Sequence, residues 1–285
     1  MINAQQIPLE VRRVGDELER AGHTAYLVGG CVRDLLLGKE PKDWDYTTDA
    51  TPEAITAIFP DSYYNNDFGT VGVKNDETAP AAVRVVEVTP FRTEGTYSDA
   101  RRPDSVQFGV SLEDDLARRD FTVNAIAYRL ADDSLIDRFD GRSDLAAKRL
   151  RAVGDPEQRF AEDALRMMRA VRLAAELDFM IEADTMGAIF AQRELLARIA
   201  IERITAEWLR LIDSPTPMQG MLLLEKLGLL EQFLPELKDS IGCEQGGAHA
   251  YDVFEHLLRT LQAAADKGFS TEMRLAALFH DVGKP

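Results

Sequence analysis

Thiols are nearly absent: Cys31 and Cys243 are the 2 cysteines in 285 residues. They lie far apart and offer neither a disulfide framework nor a zinc site. Cys31 falls in a glycine turn, where a small packing residue suffices. Long apolar runs are missing too. No stretch approaches the roughly 20 residues of a membrane span. The N-terminal MINAQQIPLE has neither the basic nor the apolar segment of a secretory signal. These absences lead us to expect a cytoplasmic chain with no membrane partner. Positive charge is in deficit, with a formal net charge of −16, which taken alone argues against nucleic-acid binding. The deficit is uneven. Residues 92–172 are close to neutral and rich in arginine, the cation better suited to phosphate. Both flanks carry the excess acid. There is no internal repeat and no low-complexity tract. What remains is 45% apolar and 29% charged, the composition of a soluble globular protein of two or three domains.

The most informative stretch is residues 25–49, AYLVGGCVRDLLLGKEPKDWDYTTD. Ala25-Tyr26-Leu27-Val28 reads as a short buried strand. Gly29-Gly30 breaks it and lets backbone amides approach a ligand without a Cβ in the way. A short helix follows from Val32 to Leu37, stopped by Gly38. Strand, glycine turn and helix start make an anion site, to which Arg33 adds a charged fork. Asp43 and Asp45 are spaced i, i+2, which on a strand puts both carboxylates on one face. Such a pair repels itself unless a cation sits between or beneath it. Mg²⁺ suits few carboxylates plus phosphate oxygens. The pattern therefore points to metal-dependent chemistry on a nucleoside triphosphate.

Further along, residues 5–21 read as an amphipathic helix, and Thr51-Pro52-Glu53 opens another that runs through Phe59. Strands are expected at 68–73 and 83–88. Strands and short helices alternate irregularly, which favours an α+β head with a small mixed sheet. Phe91 to Phe108, FRTEGTYSDARRPDSVQF, reads as a long loop. In LARRDFTVNAIA, Arg119 offers a phosphate fork, Asp120 can accept from a ribose hydroxyl, and Asn124 can donate or accept near the sugar. From Asp144 onward the pattern is helical. Asp163, Arg166, Arg169 and Arg172 recur every third residue and share a slowly drifting helix face.

Taken in order, GGxVRDxLLG…DxD, RRDFTxNA and EDALRMMRAVR resemble the motifs of the polymerase-β-like nucleotidyltransferases. Within them they are similar to the class II branch of CCA-adding tRNA nucleotidyltransferases and bacterial poly(A) polymerases. The resemblance implies a catalytic head at 1–142, a helical neck at 143–215 that selects the base, and a helical body from 216 to 285. It implies Asp43 and Asp45 as Mg²⁺ ligands, with Glu87 as a third catalytic acid. Gly29, Gly30, Arg33, Arg119, Asp120, Asn124, Asp163, Arg166, Arg169 and Arg172 become nucleotide-binding residues. The 91–108 loop resembles the family's flexible loop, which argues against a CC-only enzyme. LIDRFDG resembles the family's DPFGG turn, with Arg138 in place of the proline and Asp140 in place of a glycine. Glu202 and Arg203 are assigned to packing and salt bridges in the neck.

The implied activity is template-independent addition of C and A, from CTP and ATP, to the 3′ end of tRNA. Alternatives are a bacterial poly(A) polymerase, an A-adding-only enzyme or, in a different class, a non-catalytic RNA-binding module. The intact DxD speaks against the last. AYDVFEH…LAALFHDVGKP resembles an HD domain, with His256, His280 and Asp281 as metal ligands and His249 excluded. The family carries a later aspartate ligand and the sequence stops at Pro285. A truncated HD region without phosphohydrolase activity is therefore expected.

Overall fold

A computed structural model of the chain describes residues 2–64, 69–95, 106–245 and 250–285. It divides into two compact units. The first runs to Ala147 and takes in Arg151–Gly154; the second holds Lys148–Leu150 and Asp155–Pro285. The expected neck, from Asp155 on, and the expected body both fall in the second unit.

The first unit contains strands β1 (Ala25–Val28), β2 (Asp45–Thr48), β3 (Ser62–Tyr64), β4 (Val71–Lys74), β5 (Val85–Pro90), β6 (Arg92–Glu94), β7 (Val106–Phe108), β8 (Ile126–Arg129) and β9 (Ser134–Asp137). Its helices are α1 (Leu9–Arg20), α2 (Gly30–Leu36), α3 (Pro52–Ile58), α4 (Leu112–Ala117) and α5 (Gly141–Ala146). Among the described residues, seven strands form a mixed sheet in the order β3-β4-β5-β2-β1-β8-β9. Only β2 and β5 pair in parallel within it. This is the α+β head expected from the alternation of elements.

Local chemistry sets the boundaries. Helix α1 begins at Leu9, later than expected, because Pro8 holds its N-cap and Ala4–Gln6 form a separate 3-10 turn capped by Asn3. Its Val11, Val14 and Leu18 are fully buried. The Tyr46 hydroxyl donates to the Val11 carbonyl at 3.1 Å. A Cβ on Gly15 would stand 2.6 Å from that hydroxyl, so only glycine lets the helix settle there. Thr51 caps α3 by accepting from the Ala54 amide, with Pro52 in the first turn.

Three expectations shift. The strand placed at 68–73 begins at Val71, and Phe68 lies outside the described residues. The strand placed at 83–88 is β5, preceded by a 3-10 turn at Ala81–Val83. The ends of the 91–108 stretch are not loop: β6 and β7 pair antiparallel, Arg92 opposite Phe108. Residues 96–105, with Arg101 and Arg102, lie outside the described residues. In the LIDRFDG turn the Asp137 carboxylate accepts from the amides of Gly141 and Arg142 at 2.8 and 3.0 Å. Asp140 adopts φ 59, the left-handed region glycine favours and aspartate tolerates.

The second unit is helical: α6 (Pro156–Glu162), α7 (Leu165–Leu177), α8 (Ala183–Gln192), α9 (Ile201–Ile212), α10 (Pro217–Lys226), α11 (Pro235–Lys238), α12 (Val253–Asp266) and α13 (Thr271–Phe279). Its α7 is the central element, with Met167, Met168, Ala170 and Val171 fully buried. Trp208 on α9 packs its ring against Phe233 and Phe279 at 6.2 and 6.1 Å. Among the described residues no helix is long and apolar enough to cross a membrane.

Candidate active site

The turn after β1 puts Gly29 at φ 80 as the N-cap of α2. A Cβ there would lie 3.6 Å from Arg119 Nη1 and 3.7 Å from Asp45 Oδ2. At Gly30 it would lie 3.6 Å from Arg33 Nη2 and 3.7 Å from Asp43 Oδ1. The glycine turn, the DxD pair and two arginines thus converge. The DxD pair is not on one strand face, however. Asp43 sits in the exposed bend before β2, and Asp45 is the first strand residue. Both carboxylates still reach the turn, because the bend brings Asp43 back over it.

Glu87 comes from the middle of β5, not its end, and is in register with Asp45. The three acids crowd one another. Burial, then the charges of Asp43 and Glu87, push the Asp45 carboxyl up to about 7, with Arg119 pulling the other way. All the donors at this cluster are hard carboxylate oxygens, the set a Mg²⁺-type ion takes. The chemistry of the donor set suits such an ion.

The arginines are held differently. Arg33 donates from Nε to Asp34 Oδ1 and from Nη1 to Asn124 Oδ1, each at 2.8 Å. Asn124 Nδ2 in turn donates to Asp120 Oδ1 at 3.1 Å. Asp120 and Asn124 are buried, so this chain fixes both beneath the turn. Arg119 Nη2 donates to Asp115 Oδ2 at 3.0 Å. Its Nε is buried with no hydrogen-bond partner among the described residues, an orphan donor of the kind an anion satisfies.

Asp115 escaped the sequence reading. It is fully buried and binds Arg118 Nη2 at 2.7 Å, Thr47 Oγ1 of β2 at 3.2 Å and the Arg92 amide of β6 at 3.4 Å. Burial alone would raise its carboxyl, but Arg119 and Arg118 outweigh that and hold it below the usual carboxylate range. The acidic run ahead of the RRD motif was the available signal. Its capping residue, Asp114, is exposed, and only the fold separates the two.

In the second unit Asp163 is not on the helix face with Arg166. It is extended, φ −138 and ψ 103, in the joint between α6 and α7. Its Oδ1 accepts from the Leu165 amide at 3.1 Å and its Oδ2 from Arg203 Nη2 at 3.1 Å. Arg166, in the first turn of α7, is held by Glu162 at 2.5 Å and by the Arg159 carbonyl at 3.1 Å. Each is therefore positioned by an opposite charge. Arg203 forms the salt bridge assigned to it, whereas Glu202 is exposed and Glu207 is the acid that pairs. Arg172 is buried between Glu207 and Glu176, both at 2.5 Å, and Arg169 lies 3.7 Å from Glu207.

Near the end of the chain, ligand atoms of His256, His280 and Asp281 all lie within 4.8 Å of one another. The two Nε2 atoms are 3.1 Å apart, and Asp281 Oδ2 is 3.5 and 3.3 Å from them. His280 Nδ1 is 2.9 Å from the Ala277 carbonyl, which can only accept, so Nδ1 is the donor there. A hydrogen bond from Lys284 holds the Asp281 carboxyl below its usual range. His249 lies outside the described residues.

Residues 25–151 match the family described as poly A polymerase head domain, and residues 178–241 match the probable RNA- and SrmB-binding site of polymerase A. The chain is 43% identical over 263 residues to the CCA-adding enzyme of Levilactobacillus brevis, covering 92% of this chain and 61% of that protein. Against the CCA-adding enzyme of Geobacillus thermodenitrificans it is 46% identical over 224 residues, covering 78% and 54%. The chain thus spans 61% or less of these curated relatives' length. Its structure is similar to that of the Bacillus stearothermophilus CCA-adding enzyme in complex with CTP, with a TM-score of 0.77 and 36% identity, over 97% of this chain and 64% of that one. It is also similar to a tRNA nucleotidyltransferase complexed with a primer tRNA and an incoming ATP analog, with a TM-score of 0.69 and 26% identity, over 94% and 75%.

Proposed function

The chain belongs to the poly A polymerase head-domain family, and from that premise we propose that it is a tRNA nucleotidyltransferase adding C and A to the 3′ end of tRNA. The observation that carries this reading is the convergence of Gly29, Gly30, Arg33 and Arg119 on Asp43 and Asp45, with Glu87 in register beside them. The RNA 3′-hydroxyl oxygen bonds to the α-phosphorus of CTP or ATP. The bond from that phosphorus to the bridging oxygen breaks, pyrophosphate leaves, and the hydroxyl proton passes to water. Asp43, Asp45 and Glu87 would hold Mg²⁺. Bound there, the ions would favour the deprotonated hydroxyl and neutralise charge on the leaving group.

The chain's own residues do the positioning. Arg119, with its orphan Nε, and the glycine-turn amides take the triphosphate. Asp120 and Asn124, fixed through Arg33, meet the ribose. Asp163 and Arg166 read the base. Cytosine and adenine both present an amino donor beside a ring-nitrogen acceptor, which an aspartate and an arginine complement without a template. Arg169, on the same helix as Arg166, contributes to nucleotide binding, and Arg172 acts by holding α7 in place. His256, His280 and Asp281 would supply part of the ligand set of a separate divalent-ion site. We place the reaction in the cytoplasm. Supplying CTP alone to the chain with a tRNA lacking its CCA tail tests the reading. Incorporated C supports it, and incorporation from ATP alone, in long runs, would make the chain a poly(A) polymerase.

A further inference from the structure

The row of residues in register across the sheet continues past the catalytic acids. Asp45 on β2 pairs with Glu87 on β5, Glu87 with Gly72 on β4, and Gly72 with Tyr63 on edge strand β3. Partners in register present their side chains on one face. Tyr63 therefore stands on the face that carries Asp45 and Glu87. Its ring does not point away into solvent but lies across β4. A Cβ on Gly72 would be 2.6 Å from Tyr63 Cζ and 2.9 Å from its hydroxyl. A glycine inside a strand forfeits packing and often marks a close approach; here it lets the phenol ring lie low on the sheet. The ring nevertheless remains 38% exposed. Lys74, two residues beyond Gly72 and so on the same face, places its ammonium over the ring, 5.4 Å from the centroid, and this long flexible side chain must swing aside to a phosphate for a base to stack there.

Direction decides what uses this shelf. The triphosphate residues Gly29, Gly30, Arg33 and Arg119 lie on the β1 side of the acids. In phosphoryl transfer the attacking and leaving oxygens are roughly in line. The leaving pyrophosphate occupies the β1 side, so the attacking hydroxyl approaches over Glu87 from the β4–β3 side. The ring lies about one strand spacing, ~5 Å, beyond Glu87, which is the distance from a sugar hydroxyl to its own base. We propose that Tyr63 and Lys74 form the subsite for the 3′-terminal nucleotide of the RNA being extended, its base stacked on the phenol ring and its phosphate on the ammonium. This rests on the nucleotidyltransferase reading above. Stacking on a π-face is tolerant of base identity, which suits a primer end that changes from one addition to the next.

The test compares wild type with Tyr63→Ala, Tyr63→Phe and Lys74→Ala, using CTP and a tRNA lacking its CCA tail. Tyr63→Ala raises KM for the RNA by about tenfold, leaves KM for CTP and kcat at saturating RNA near wild type, and is rescued by Tyr63→Phe. Lys74→Ala raises the same KM and flattens its salt dependence. A second readout needs no turnover: tRNA ending in 2-aminopurine changes its emission on binding wild type and Tyr63→Phe, but not Tyr63→Ala. An unchanged RNA KM in folded Tyr63→Ala, a shift in the CTP KM instead, or identical emission with all variants would overturn the subsite. Absence of any nucleotide addition by wild type would instead refute the activity, and the emission measurement would still decide the stacking.

Discussion

Asp45 is held at a cost that only a cation relieves. Its carboxyl is pushed up to about 7 by burial and by Asp43 and Glu87, so in metal-free protein the folded state keeps a proton that the unfolded chain gives up at its ordinary, lower value. Stability of the metal-free protein therefore falls as pH rises from that value through about 7. Asp45→Asn removes the charge without changing shape. We expect it to raise the Tm of metal-free protein strongly at pH 8, to raise it less at pH 5, where only the unfolded chain has lost the proton, and to abolish nucleotide transfer. Thermal scans in EDTA at the two pH values check this. Asp115 works in the opposite sense. Its carboxyl lies below the usual range, so its contribution is fully present above the ordinary carboxylate value and fades as pH falls through the folded one. Asp115→Asn removes the charge that Arg118 and Arg119 share and should cost about 3 kcal/mol at neutral pH, read as a shift in urea midpoint at constant slope.

At the level of elements, α7 and the joint before it divide the arginine row by burial. Arg172 is 2% exposed and neutralises Glu176 and Glu207; Arg172→Ala leaves Glu176 to Arg210 at 3.4 Å and Glu207 to Arg169 at 3.7 Å, and should cost about 3 kcal/mol. Arg169 is half-buried and stands farther from Glu207, at 3.7 Å, so Arg169→Ala should cost less. Denaturant melts of the two variants separate them. Asp163→Ala and Arg166→Ala should instead admit UTP and GTP while leaving metal affinity alone, measured as incorporation of each nucleotide singly; continued exclusion of UTP would place selection elsewhere. Much of this layer was legible in the sequence. Thr51-Pro52 fixes the start of α3, and an apolar run broken by two glycines fixes β1 and α2. The joint at Asp163 was not, because an extended residue between two helices leaves the i, i+3 spacing of charges intact. Nor was the β6–β7 ribbon, whose three-residue strands are too short to show alternation.

Over the whole molecule, the excess acid and the RNA-directed reading are reconciled by where the arginines act. Those of the head site are committed to named acids, Arg33 to Asp34 and Arg119 to Asp115. On the reading proposed above they serve one triphosphate, and their charge is already engaged in local ion pairs. The most direct test of the central claim is to sequence RNA 3′ ends after incubating the chain with Mg²⁺, CTP, ATP and a tRNA lacking its tail, beside Asp43→Ala and Asp45→Ala proteins shown to be folded. The account predicts ends finished as CCA with the wild-type chain and unextended ends with either variant. Unextended ends with wild type, or extension that survives loss of both carboxylates, would contradict it.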